Sequence, residues 1–210
     1  MNSLRAEKFY IKNNKAIIFI LLIAIYIIVL PFCVSIYRSS DYTNQLVLVY
    51  TMMQRILIIP SIIIHSYLYS VYVDQEYKEV VLSLDRGFKY KYCLFNYIFI
   101  QILHLPFYIS LIFIDYEFIY YIGLYCLQLA ILITIYYTLT KFINSSFACL
   151  SLLIVYIMLF TLLLFNVSFG NIFLINVSHN EVLKNYYNLS TIIYCVSLIL
   201  GCSIEKKLGK

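Results

Sequence analysis

From Cys93 to Thr140 the only charged side chains are Asp115 and Glu117, and each apolar run beside them has the roughly 20 residues that a helix needs to cross a bilayer. Inside hydrocarbon every backbone N–H and C=O needs a partner within the protein, so unbroken runs of this kind are helical. Only Asp115-Tyr116-Glu117 separates the two, which predicts a tight antiparallel helical hairpin. The same reading places further spans at about Ala16–Tyr37, Leu48–Val73, Phe147–Val167 and Leu189–Ile204. The expectation is an all-α integral membrane protein: six transmembrane helices in one domain, residues 1–210.

Composition excludes the main alternatives. A chain that is 63% hydrophobic and 12% charged, with mean hydropathy +0.89, lies outside the range of soluble domains. Six spans use nearly all 210 residues, so no soluble catalytic or nucleotide-binding domain fits, and any energy source must sit on another chain. The first apolar run is too long for a signal-peptide core and lacks a small-residue cleavage site, so it reads as a mature span. The six cysteines form no CxxC pair and read as small buried apolar residues, with neither a disulfide framework nor a zinc site.

Orientation follows from Lys and Arg. Residues 1–15, the stretch from Asp74 to Tyr92, Lys141 and the C-terminus hold 12 of the 15 basic side chains, leaving Arg38, Arg55 and Lys184 opposite. Basic connections stay cytosolic, so both termini and the 74–92 stretch are expected inside. The net charge of +5 is what such a rim requires and implies no nucleic-acid partner. Residues 1–15 suit an amphipathic helix on anionic membrane lipids, or a plain basic anchor. Residues 168–188, broken by Asn, Ser, Gly and charge, are expected outside, with a first part able to dip into the outer leaflet.

DQEYKEVVLSLDRGFKYKY, Asp74 to Tyr92, is the one long charged interruption between spans. Tyr77, Val80, Val81 and Leu84 recur at helical spacing, and Glu76, Lys78, Glu79 and Asp85 fall mostly elsewhere on the wheel. Gly87 after Arg86 is a helix stop, and Lys89 and Lys91 lead into the third span. The pattern fits a short amphipathic helix at the membrane face, offered to a partner; the plainer reading is a solvated loop.

Polar residues within spans are the other candidates, because hydrocarbon penalises each of them. Arg55 lies near the outer end of span two and can snorkel, or meet a substrate or lipid headgroup. His65 and Gln101 sit at similar depths, about 12 and 14 Å from the cytosolic end, and His104 about 18 Å, so His65 and Gln101 are able to pair if spans two and three face each other. Gln128 and Asn166 read as interhelical contacts. Together Arg55, His65, Gln101, His104 and Gln128 mark a possible substrate path. Pro31 is expected to kink span one. No HExxH, GxSxG, phosphate loop or intramembrane carboxylate pair occurs, so catalytic, metal and cofactor sites are expected to be absent and the chain is not an enzyme by itself.

The basic N-terminus, first span, and second span running into QEYKEVVLSLDRGFKYKY resemble the membrane subunits of type-two ATP-binding-cassette exporters. The matching positions are Glu76-Tyr77-Lys78, Leu82 and Leu84, Arg86-Gly87, Lys89 and Lys91; where many relatives carry Gly-Thr, this chain has Val80-Val81. The resemblance implies an N-terminal elbow helix at 1–15 and a cytosolic coupling helix at 74–91. It implies two separate ATPase subunits that bind ATP and Mg, and a second permease, identical or homologous. Its cargo would be an amphipathic peptide or lipid-like substrate, as in bacteriocin export or immunity, at the cell membrane. The excess of Ile, Tyr, Phe, Asn and Lys fits an AT-rich, low-GC bacterial genome. Two other readings share this topology: a substrate-binding membrane subunit of a vitamin importer, and a non-transporting immunity or scaffold protein.

Overall fold

The computed structural model describes residues 19–20, 23, 25–39, 42–73, 89–162 and 181–208. The expected elbow at 1–15, residues 74–88 of the coupling stretch and residues 163–180 lie outside the described residues. The described chain is almost entirely helical and contains no strand, as expected.

A π-helical turn, Ile25–Val29, leads into α1, Leu30–Ser39. Then α2, Tyr42–Met52, a second π-helical turn, Met53–Leu57, α3, Ile58–Tyr69, and a 3-10 turn, Ser70–Tyr72, form one continuous rod. Both π turns come just before a proline. Pro31 and Pro60 lack an N–H, and their rings crowd the carbonyls of Ile27 and Ile56 four residues back; a turn widened by one residue relieves the clash. The expected distortion at Pro31 thus takes the form of a wide turn, repeated at Pro60. The polar residues Tyr42 to Gln45, expected in a loop, instead open α2, where a helix's first N–H groups welcome polar neighbours.

The hairpin is as expected: α4, Tyr90–Ile114, turns into α5, Phe118–Phe142, through three residues. Asp115 is extended, and its Oδ1 accepts the Glu117 N–H at 2.9 Å, which reverses the chain. Ile143 ends α5, and the Ser145 hydroxyl accepts the Ala148 N–H at 3.3 Å, capping α6, Ser146–Leu162. Helix α7, Glu181–Leu208, starts eight residues before the expected Leu189. Residues 181–188, expected outside the last span, are therefore helical and continuous with it; Val182, Leu183, Tyr186 and Tyr187 carry the helical spacing in the sequence.

Helix α5 is the central post. Tyr121, Tyr125, Leu129, Leu132, Tyr136 and Tyr137 are buried on several of its faces, packed among α3, α4, α6 and α7. Among the described residues two helices, α4 and α5, are long and apolar enough to cross a membrane, each with mean hydropathy 2.0. They differ in burial. Only 28% of the apolar window in α4 is buried, against 61% in α5, and Ile102, Leu105 and Phe113 are exposed on α4. Exposed apolar side chains of this kind are compatible with a lipid-facing helix. Lys89 and Lys91 at the start of α4, Lys141 at the end of α5, and Lys206 and Lys207 at the end of α7 gather at one end of the bundle. Arg38, Asp115 and Glu117 mark the other.

Candidate functional site

Two groups of polar residues stand out, one inside the bundle and one at its lysine-bearing end. Inside, Gln54 in the second π turn donates through Nε2 to Gln128 Oε1 at 3.0 Å, with both side chains buried. This makes Gln128 an interhelical contact, as expected. Nearby, the ring of His104 lies between two hydroxyls: Nε2 is 3.4 Å from Ser61 Oγ, and Nδ1 is 3.4 Å from the Tyr108 hydroxyl. Tyr108 donates to Gln101 Oε1 at 2.7 Å, and the Cys126 thiol donates to the same oxygen at 3.3 Å. Ser61 Oγ also lies 3.3 Å from the Tyr125 hydroxyl.

The chain Tyr125–Ser61–His104–Tyr108–Gln101–Cys126 ties α3, α4 and α5 together. Gln101 Oε1 accepts from both Tyr108 and Cys126, so the cluster forms a polar strut that joins the three helices. The pairing of His65 with Gln101 does not form. Gln101 is turned toward Cys126 by Tyr108, and His65 lies among rings, stacked on Tyr69 at 5.7 Å and edge-on to Tyr136 at 5.2 Å. Both His65 nitrogens and Gln101 Nε2 are buried with no hydrogen-bond partner among the described residues. Arg55 is placed in the turn Met53–Leu57. Asn166 lies outside the described residues.

Replacing one member of the buried amide pair removes the hydrogen bond between α5 and the second π turn. Gln54→Leu is expected to lower stability by about 1–2 kcal/mol, since a membrane hydrogen bond is worth about 0.6 kcal/mol on average and a buried polar group that loses one costs more. Gln54→Leu with Gln128→Leu is expected to recover at least part of that loss, because no buried amide of the pair then lacks that bond. Reversible unfolding in mixed detergent micelles measures both.

At the lysine-bearing end, the two flanks of the 74–88 stretch are fixed to the bundle. Tyr72 and Tyr92 stack face to face, with centroids 4.4 Å apart and planes at 14°. Lys91 lies 4.9 Å from the Tyr92 ring centroid. On the α4 side, the Tyr90 hydroxyl is 2.8 Å from that of Tyr194 on α7, and its ring meets Tyr137 edge-on at 5.3 Å. The backbone N–H of Lys89, the residue capping α4, donates to Glu205 Oε1 on α7 at 3.1 Å. Glu205 also accepts the Tyr137 hydroxyl and pairs with Lys141 at 3.4 Å.

Of the residues expected to engage a partner, Lys89 is described and anchored by its backbone; Glu76, Tyr77, Lys78, Val81, Leu84, Arg86 and Gly87 lie outside the described residues. Glu205 and Tyr137 were not singled out by sequence. The one available signal was Glu205 as the acidic member of an otherwise basic C-terminal end. Among the described residues no group of His, Cys, Asp or Glu is arranged to hold a metal. Comparison with protein-family models, with curated proteins and with solved structures finds no match.

Proposed function

We propose that this chain is the transmembrane subunit of an ATP-driven exporter of the ATP-binding-cassette type. It crosses the cell membrane six times with both termini inside, and it moves an amphipathic peptide or lipid-like substrate using ATP hydrolysed on two separate subunits. The observation that carries this reading is the stack of Tyr72 on Tyr92. It brings together residues 72 and 92, on either side of the charged 74–88 stretch, at the end where the lysines collect. A segment held at both flanks passes a push to the helices behind it, whereas a slack loop absorbs the push. The polar strut around His104 joins three helices of this chain, and the substrate route in this reading runs between this chain and a second permease.

The test is co-purification. Extracted in mild detergent from its native membrane, the full chain is expected to bring down an ATPase whose Mg-dependent hydrolysis responds to candidate amphipathic peptides. Isolation as a lone chain holding a tightly bound vitamin would instead establish the importer reading, and isolation with neither would favour an immunity or scaffold role.

A further inference from the structure

Three elements meet at one carboxylate. Glu205 on α7 takes the Lys89 N–H at the start of α4, the Tyr137 hydroxyl of α5 and the Lys141 ammonium at the end of α5, with both the Glu205 and Lys141 side chains only 13% exposed. Helix α4 begins without a side-chain cap of its own, since the residue at its cap is Lys89. An anionic oxygen from α7 fills that role and also meets the positive end of the α4 dipole. The neighbourhood reinforces the contact. Lys141 lies 4.6 Å from the Tyr137 ring centroid, Tyr90 leans on Tyr137, and Tyr90 reaches Tyr194 one face along α7.

These contacts divide the work at the mouth of the 74–88 stretch. Its entry flank is held by Tyr72 of the 3-10 turn through the stack on Tyr92, and Tyr69 continues that contact with its ring 5.3 Å from Tyr72. Its exit flank, Lys89 and Tyr90, is held by α7 and α5 through Glu205 and Tyr137. We infer that Glu205 is a latch. The C-terminal helix uses it to lock the first turn of α4 to α5, so that a force on the 74–88 stretch reaches α5 and α7 together and is not lost in fraying of α4. Glu205 is a positioning residue, acting through Lys89 and Tyr137. The inference rests on the exporter reading only for what pulls on the latch; the latch itself is a property of this chain.

Amide hydrogen exchange on the full chain in lipid nanodiscs tests it without any partner. Glu205→Ala is expected to speed exchange at Lys89 to Tyr92 by about tenfold, the scale of a lost charged cap, with the middle of α5 and α7 unchanged. Glu205→Gln keeps an acceptor oxygen and is expected to change those amides by less than about threefold. Tyr137→Phe keeps the ring and removes only the hydroxyl that holds Glu205; it is expected to speed the same amides by about threefold, and it carries the test should the alanine variant not fold. Unchanged exchange at Lys89 to Tyr92, or a uniform rise across α4, α5 and α7, would overturn the latch. Where an ATPase co-purifies, Glu205→Ala is expected to retain it and lose ATP-linked transport. Should no ATPase co-purify with the wild-type chain, the exporter reading falls while the exchange result still decides the latch.

Discussion

Leucine in place of Gly201 is expected to separate α7 from α5 and to lower bundle stability by about 3 kcal/mol or more. A Cβ at this position would lie 2.7 Å from Tyr137 Cε1 and 2.9 Å from Thr138 Oγ1, distances that real Cβ atoms do not reach. The ring has little freedom to give way. Tyr137 is fully buried, meets Tyr90 on one side, and is anchored at its tip by Glu205 one turn beyond Gly201. Even Gly201→Ala, which in an open helix gains about 1 kcal/mol of propensity, is expected to be a net loss, because overpacking a tight contact costs about 1–3 kcal/mol. Membrane helices approach this closely where a small residue lets the backbones meet. The check is a thermal or detergent unfolding series with Gly201→Ala, Gly201→Leu, Tyr137→Ala, and Gly201→Ala combined with Tyr137→Ala. The last is expected to cost less than the sum of its singles, since the ring that clashes is already gone. Additive costs would mean that α5 and α7 do not touch at this glycine.

The α4–α5 hairpin was legible because long, nearly uncharged apolar runs read as helices, and Asp115-Tyr116-Glu117 allows only a tight reversal. Boundaries were less so. Polar Tyr42 to Gln45 looked like loop because composition was read in place of end chemistry, and α7 starts at Glu181 because its helical spacing continues through residues that looked too polar to cross. Within the site, residue type announced that Gln128 would be tied to a neighbour, yet not to which. The depth estimate that paired His65 with Gln101 took no account of rotation about the helix axis, and rotation sends Gln101 to Cys126 and His65 to Tyr136. Glu205 was invisible for a related reason. Its value lies in three partners that are 116, 68 and 64 positions away in the chain, and no local pattern records them.

On the exporter reading, charge reversal in the 74–88 stretch is expected to be the most severe functional lesion: Glu76→Lys or Arg86→Glu should reduce ATP-linked transport at least tenfold and release any ATPase that co-purifies. Setting a like charge against a partner costs several kcal/mol, and every 1.4 kcal/mol is a factor of ten in affinity. Folding should not share the loss. The contacts that hold this end together, Tyr72 on Tyr92 and Glu205 under Lys89, involve neither residue 76 nor residue 86. Membrane insertion and unfolding midpoint are therefore expected to match the wild type, which separates a lost grip from a lost fold. Val81→Asp tests the apolar stripe of the same segment and should release the ATPase without changing either flank. If both reversals transport normally, the stretch is a solvated loop that joins two helices, and the ATPase takes hold elsewhere. If transport fails while the ATPase stays bound, the grip is elsewhere but the push still passes through this segment, and the expected next defect is in the Tyr72–Tyr92 stack: Tyr92→Leu would then uncouple hydrolysis from transport in the same way.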